Sequence, residues 1–262
     1  MASLSRRIIN WAAAFEDGAI LRAAFFGLLT ATAVILYLDY SEMAAQQPDA
    51  ALTSPELMPI LPEFDPANPA GTPGPEVMTP VKLLQQPVVI KLTPGGVLIF
   101  TGTIDPGSSE RFAQQVTDYG DYIKSVALDS PGGSVIDALA IGKLIRDKGF
   151  TTSVARGALC ASSCPLVFAG GKERLANEGS AIGVHQIYAA TAAGQSITSR
   201  LAAAGNAMSD AQTLTAEISR YLSAMGIAPE VWLRALETPP NRLTYFNARE
   251  LVALKLVTRL TT

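Results

Sequence analysis

Proline recurs every few residues over 39–86, and this segment decides how the rest of the chain can be arranged. Proline lacks the backbone N–H that regular helices and strands need. The segment is otherwise rich in Ala, Gln and Thr, a composition that cannot form a buried core. The composition therefore predicts an extended, semi-rigid spacer over residues 39–86. One region should precede this spacer, and one folded domain should follow it over residues 87–262.

The region before the spacer contains an apolar stretch, residues 18–38, with Arg6 and Arg7 on its amino-terminal side. About twenty apolar residues in a helix match the hydrocarbon thickness of a bilayer. Because basic flanks tend to stay in the cytoplasm, we expect residues 1–17 to be cytoplasmic and the chain to cross once. The folded domain would then be periplasmic, held at the inner membrane of a bacterial cell. A cleaved signal peptide is the alternative, with a weak small-residue site at 43–45.

Composition excludes several function classes for this chain. The formal charge is −3, with both signs interspersed, so the sequence lacks the basic patch that nucleic-acid binding requires. It also lacks the glycine-lysine loop that binds the phosphates of ATP. With two cysteines and one histidine, no metal site is predicted, and no cofactor is expected.

Strand-like and helix-like patterns alternate after the spacer. Apolar runs at 97–102, Ser125–Asp129 and Thr151–Val154 are typical of strands, and helical patterns at 107–118 and Val135–Lys148 separate them. This alternation predicts parallel βαβ units in a layered α/β domain. Sites in parallel sheets collect beyond the carboxyl ends of the strands.

The carboxyl-terminal third of the chain gives weaker signals. Residues 189–207 form a small-residue insertion without clear periodicity, for which we expect a loose conformation. An amphipathic helix is predicted over 209–225, and another begins at Pro229 or Glu230. Asn247 and Glu250 have capping-box spacing and should start the last helix.

Two adjacent hydroxyl groups, on Ser162 and Ser163, lie where a turn of small residues leads into the apolar segment 163–169. The start of a helix has unpaired N–H groups that stabilise an anion. A serine there can be a nucleophile whose oxyanion is stabilised by the same helix start, or it can be an ordinary N-cap. Local sequence leaves both interpretations open.

Two further features favour the catalytic interpretation. His185, the single histidine, ends the short apolar run 181–186. The turn 130–134 follows the predicted strand Ser125–Asp129 and contains two glycines, which can expose backbone N–H groups at close range. Each feature alone has an ordinary structural explanation. Together they supply the base, the nucleophile and the N–H donors of acyl transfer.

The order and spacing of these motifs resemble those of the Clp protease proteolytic subunit and its relatives in the Clp/crotonase superfamily. The resemblance covers approximately residues 97–257. It rests on the segments Ile99-Phe-Thr-Gly-Thr-Ile104, Asp129-Ser-Pro-Gly-Gly133, Ala161-Ser-Ser163 with Gly171, Val184-His-Gln186, and the stretch 246–257 that begins Phe-Asn-Ala-Arg.

This resemblance implies a Clp/crotonase-like fold of repeated ββα units and a serine-type endopeptidase. Ser162 would be the nucleophile and His185 the general base, with the backbone N–H groups of Gly133 and Ser163 as the oxyanion hole. Substrates would be peptides or unfolded proteins. The resemblance also suggests a homo-oligomer.

The resemblance does not extend to the third catalytic residue. Family members have an aspartate a few residues before the segment that begins at Phe246, and this sequence has none there. Asn241 and Glu237 are the nearest substitutes. An asparagine could orient the imidazole of His185 through its carbonyl oxygen, but it would stabilise the imidazolium less than a carboxylate does.

Cys160 and Cys164 bracket Ser162. Outside the cytoplasm they could form a disulfide, and otherwise they would be buried thiols, with a cysteine nucleophile as a minor alternative.

Two other functions remain open from sequence. One is a Ser/Lys peptidase resembling signal peptide peptidase A, with Lys172 or Lys255 as the base. The other is a binding or scaffold protein of the same fold whose catalytic site has decayed.

Overall fold

The computed structural model describes residues 17–45, 75–187 and 197–262, which belong to two compact units. In the first unit, helix α1 (Asp17–Ala45) is 29 residues long. Its window Leu21–Leu38 is long and apolar enough to cross a membrane, judged by length and composition. Residues 1–16, which include the predicted basic flank, and 46–74, most of the predicted spacer, lie outside the described residues.

The second unit contains a main sheet, which has six strands in the described part of the chain. Numbered along the chain, they lie side by side in the order β1 (Val89–Thr93), β2 (Val97–Thr101), β3 (Ser125–Asp129), β4 (Thr151–Val154), β6 (Arg174–Asn177) and β9 (Arg259–Thr261). β1 and β2 are antiparallel, whereas every later pair is parallel. The predicted mixed α/β class with a parallel-rich sheet is therefore confirmed.

A smaller sheet carries the candidate site. It consists of β5 (Leu159–Ala161), β7 (Ala181–Val184) and β8 (Thr244–Tyr245), with β5 and β7 parallel and β7 and β8 antiparallel. Ser130, which follows β3, joins it to the main sheet: its N–H donates to Leu159 O at 2.6 Å and its carbonyl accepts from Ala161 N at 3.0 Å. β5 therefore starts at the carboxyl end of β3, where parallel sheets place their sites.

Helices connect and cover the strands. They are α2 (Val81–Leu84), α3 (Ser108–Tyr119), α4 (Val135–Lys148), α5 (Cys164–Ala169), α6 (Ile197–Ala224), α7 (Glu230–Glu237) and α8 (Ala248–Ala253). α4 begins at Ser134, whose hydroxyl accepts from the N–H of Asp137, and ends at Gly149 with φ 71°. α8 has the predicted capping box between Asn247 and Glu250.

All residues of the short helix α5 are buried. α4 crosses it so closely that a Cβ added to Gly170 would lie 2.2 Å from the carbonyl oxygen of Gly142. Near the same crossing, the hydroxyl of Tyr221 in α6 donates to the carbonyl of Leu166 in α5 at 2.8 Å. The short helix that follows Ser162 is therefore held by contacts with α4 and α6.

The structure corrects the prediction for residues 197–207, the described part of the predicted insertion. α6 begins at Ile197, twelve residues before the predicted start at 209, whereas 188–196 lie outside the described residues. The early part of α6 is rich in alanine, which has the highest helix propensity and needs no apolar periodicity to be helical. The search for periodicity therefore missed it.

The structure also moves the start of the folded domain to before Pro87. Leu84 is 1% exposed, and the N–H of Met78 donates to the carbonyl of Gly157 at 2.8 Å. Proline content misled the prediction, because Pro80 is compatible with the start of α2, where an N–H is not needed.

Replacing Leu84 with alanine should lower the free energy of unfolding by about 2–5 kcal/mol, because a fully buried leucine is lost. Leu83→Ala is the matched control: Leu83 is 47% exposed, and its loss should change the free energy of unfolding by less than about 0.5 kcal/mol. Urea unfolding of the two variants, followed by circular dichroism, measures the difference. Equal effects would place residues 75–86 outside the core.

Candidate active site

Ser162 occupies the turn between β5 and α5. Its φ is 59°, and it is one of two non-glycine residues with positive φ in the described part of the chain. This left-handed conformation costs about 1–3 kcal/mol and persists only where surrounding contacts hold it. One such contact is the bond from the N–H of Ser162 to the carbonyl of Gly183 at 3.1 Å. The turn separates Ser162 from the helix, so Ser163 is the N-cap residue of α5.

A disulfide joins Cys160 to Cys164 across this turn. The two cysteines are fully buried, one in β5 and the other at the first position of α5. The bond therefore ties together the two elements that Ser162 connects. Because both sulfur atoms are in the disulfide, neither is a thiol nucleophile in this state.

His185 follows β7, the strand beside β5. Its Nε2 lies 2.7 Å from the hydroxyl oxygen of Ser162, and its Nδ1 lies 2.8 Å from the carbonyl oxygen of Pro240. Since a carbonyl only accepts, the proton belongs on Nδ1. Nε2 is then the acceptor for the hydroxyl proton of Ser162, as a general base requires.

The environment of His185 favours its neutral form. Burial lowers the pKa of the imidazole below its ordinary value, and the hydrogen bond to Pro240 opposes this shift without cancelling it. At neutral pH the ring therefore holds its lone pair on Nε2, available to accept a proton.

The glycine turn 130–133 runs beside Ser162. Ile104 is bonded to residues on both sides of Gly133: its N–H donates to Gly132 O at 2.8 Å and its carbonyl accepts from Ser134 N at 2.6 Å. This pattern turns the N–H of Gly133 away from Ile104. Among hydrogen bonds between described residues, neither the N–H of Gly133 nor that of Ser163 has an acceptor.

Glycine is required at both positions of this turn. A Cβ on Gly132 would lie 2.6 Å from the Cβ of Ser162 and 2.8 Å from the nitrogen of Ser163. At Gly133, where φ is 142°, a Cβ would lie 2.2 Å from the carbonyl oxygen of Ile104. The hydroxyl of Ser163 donates to the carbonyl of Gly133 at 3.1 Å, which fixes the turn against the start of α5.

At the third catalytic position the structure differs from the prediction made from the sequence. Asn241 and Glu237 are exposed, and neither is hydrogen-bonded to His185. The backbone carbonyl of Pro240 takes the place that the sequence assigned to Asn241. A backbone carbonyl leaves no side-chain signature, and the one signal available in the sequence is the pair of adjacent prolines at 239 and 240, which is typical of a rigid segment.

Two hydrogen bonds hold this segment beside His185. The backbone N–H of Gln186 donates to Thr238 O at 2.9 Å, and its side-chain amide donates to Leu236 O at 2.6 Å. The carbonyl at Nδ1 is therefore part of a fixed arrangement.

Lys172 and Lys255, the two candidate lysine bases, lie away from Ser162. Lys172 donates its N–H to the carbonyl of Phe150, which precedes β4, and the carbonyl of Lys255 accepts from Arg174 at the start of β6. Both contacts are at the amino-terminal edge of the main sheet, whereas Ser162 follows a strand that joins its carboxyl-terminal edge. Over 17–45, 75–187 and 197–262, no group of three His, Cys, Asp or Glu residues could hold a metal ion.

Neither a protein-family model nor a curated protein matches the sequence. One similar solved structure is that of a ClpP1 mutant from Listeria monocytogenes, with 15% sequence identity and a TM-score of 0.49. The match covers 64% of this chain and 91% of that chain.

Gly133→Ala should slow the reaction of Ser162 with a fluorophosphonate by about 100-fold or more, because it displaces the N–H that is predicted from the sequence to be an oxyanion donor. Gly226→Ala is the control. Gly226 also has positive φ, at 73°, but a Cβ there would meet nothing within 4 Å. The rate of adduct formation, measured by intact mass, separates loss of the donor from backbone strain. Equal slowing in the two variants would contradict a role for Gly133.

The same reaction should depend on the protonation of His185. Because the folded-state pKa is lowered from 6.5, the rate should be constant near neutrality and fall with a midpoint below pH 6.5. Below that midpoint the imidazole is protonated and cannot accept the hydroxyl proton. Rates measured between pH 4.5 and 8 test this, since the pKa of a solvated histidine is about 6.5. A midpoint above that value would be inconsistent with a buried, neutral base.

Proposed function

We propose that this chain is a membrane-anchored serine peptidase that hydrolyses peptide bonds through an acyl-enzyme on Ser162. The observation that carries the proposal is the 2.7 Å contact between Ser162 Oγ and His185 Nε2. It lies beside two backbone N–H groups, those of Gly133 and Ser163, that have no acceptor among the described residues. A nucleophile, its base and its oxyanion donors are the minimum set for acyl transfer.

The reaction begins when the Ser162 oxygen attacks the scissile carbonyl carbon and its proton moves to Nε2 of His185. The carbonyl oxygen becomes an oxyanion and accepts hydrogen bonds from Gly133 and Ser163. The tetrahedral intermediate collapses, the C–N bond breaks, and His185 gives its proton to the leaving amine. Water then loses a proton to His185, attacks the ester and releases the acid, and the proton returns to Ser162.

The Pro240 carbonyl orients the imidazole through the proton on Nδ1. It keeps Nε2 directed at Ser162, which is the positioning role of the aspartate in a Ser-His-Asp triad. A neutral carbonyl stabilises the imidazolium less than a carboxylate does, in agreement with the lowered pKa of His185. The site therefore keeps the imidazole of His185 oriented but stabilises its imidazolium form less than an aspartate would.

Peptide bonds are the proposed substrate because the sequence motifs resemble those of the Clp proteolytic subunit. The chain lacks an ATP-binding loop of its own, so short peptides and loosely folded segments fit it better than tightly folded proteins. A homo-oligomer is part of the same proposal.

Two observations support a periplasmic location for the site. The window Leu21–Leu38 is long and apolar enough to anchor the chain by a single span. The disulfide between Cys160 and Cys164 is of a kind that persists in oxidising compartments, outside the cytoplasm. An inner-membrane protein with a cytoplasmic amino terminus would satisfy both.

The geometry favours this function over the two alternatives. A Ser/Lys mechanism needs an amine beside the nucleophile, whereas Lys172 and Lys255 contact the opposite edge of the main sheet. A decayed site would have no reason to retain a strained φ at Ser162 together with a well-formed hydrogen bond to His185.

The test is fluorophosphonate labelling of the full chain in detergent, located by peptide mapping. Ser162→Ala should abolish the adduct, and His185→Ala should slow it by about 1,000-fold or more, because the nucleophile loses its base. Ser223→Ala is the control, since Ser223 is an exposed serine of α6 outside the proposed site, and its variant should label at the wild-type rate. Labelling that is indifferent to His185→Ala would favour a lysine base. An unlabelled Ser162 would favour a non-catalytic protein.

A further inference from the structure

We propose that residues 75–86, which precede β1, are a positioning element of the active site. Through Thr79 and Leu84 this segment docks against the strands and the turn that lead to Ser162 and His185, and its docking keeps these two residues in place. This inference rests on the proposed function. The composition of this segment predicted a spacer, whereas in the structure the segment packs against the strands that lead to the site.

The first argument is packing. Leu84 forms a buried cluster with Leu159, Ala161 and Ala181, and this cluster is separate from the main core. Leu159 and Ala161 belong to β5, which leads into Ser162, and Ala181 belongs to β7, which leads to His185. The cluster that contains Leu84 therefore includes residues of both strands that lead to the proposed catalytic pair.

The second argument is a carboxylate that bonds to two segments. Asp129, the last residue of β3, accepts from the N–H of Leu159 through Oδ1 at 2.9 Å and from the hydroxyl of Thr79 through Oδ2 at 2.5 Å. It directly precedes the turn that carries Gly133. The same side chain thus ties residues 75–86 to the strand of the nucleophile and to the turn of the oxyanion donor.

Backbone bonds fix the segment at both ends. Met78 donates to Gly157, two residues before β5, at 2.8 Å. The hydroxyl of Thr103 donates to the carbonyl of Leu84 at 2.9 Å, and its N–H donates to the carbonyl of Gln86 at 2.8 Å. These bonds hold Thr79 and Leu84 in register with their partners.

The activity of the site should therefore depend on whether residues 75–86 are docked. If the segment undocks, Asp129 loses one of its two donors and β5 loses the side chain packed against it. The Ser162 turn, which is held in a strained conformation by its surroundings, then relaxes away from His185. A domain cut at Pro87 should therefore lack an organised site.

The test uses the full chain in detergent and variants at Thr79. Thr79→Val keeps the volume and removes the hydroxyl, Thr79→Ser restores it, and Leu84→Ala removes the packing. Val81→Ala and Thr117→Val are controls: Val81 is exposed on the same segment, and Thr117 is an exposed threonine of α3. Each variant is measured for fluorophosphonate inactivation rate and affinity, and for amide hydrogen exchange of residues 157–162.

We expect Thr79→Val to lower the limiting inactivation rate by about tenfold with unchanged inhibitor affinity. Amide exchange over 157–162 should accelerate in Thr79→Val and Leu84→Ala, and Thr79→Ser and both controls should stay at the wild-type values. A purely structural role would instead lower the fraction of protein that can be labelled and leave its rate unchanged. Unchanged rate and exchange in Thr79→Val would overturn the inference. If the wild-type Ser162 is never labelled, the proposed function fails, and hydrogen exchange still decides whether the segment supports β5.

Discussion

The contact between Ser162 and His185 depends on two neighbouring strands that end at the same level. β5 and β7 run parallel, and the N–H of Ser162, just past β5, donates to Gly183 in β7. This bond holds the left-handed turn that directs the hydroxyl toward the residue following β7. The disulfide and the buried helix α5 restrain the same turn, and the carboxylate of Asp129 holds the start of β5, which leads into it. The strain at Ser162 is thus offset by several contacts rather than by one.

Close backbone approach explains the remaining parts of the site. The proposed oxyanion donors are N–H groups of the glycine turn and of Ser163. In this turn a Cβ at position 132 would clash with Ser162, and a Cβ at position 133 would clash with Ile104. The partner of Nδ1 is likewise a backbone group, the carbonyl of Pro240. Apart from the serine hydroxyl and the imidazole, the chemistry relies on main-chain dipoles that the fold fixes in advance. Such an arrangement needs no reorganisation at the moment of reaction.

The sequence predicted those elements correctly whose local conformation requires particular residue types. The strands Ser125–Asp129 and Thr151–Val154 and the helix Val135–Lys148 agree with the structure because apolar periodicity, a serine cap and Gly149 determine them. It failed where the decisive group is main chain or where packing overrides composition. Pro240 contributes only a carbonyl, the alanine-rich start of α6 has no periodicity, and Leu84 follows a proline-rich stretch yet is buried. Short strands such as β5 also gave too little pattern, although Ser162 directly follows β5.

The most direct test of the central claim is a crystal structure of the folded chain with a peptide phosphonate bound at the site. Ser162 Oγ should be bonded to phosphorus, and a phosphonyl oxygen should lie about 2.7–3.1 Å from both the Gly133 and the Ser163 nitrogen. His185 should keep its contact with Pro240 in that complex. A phosphonyl oxygen directed into solvent, or an adduct on another residue, would contradict the catalytic arrangement described for this chain.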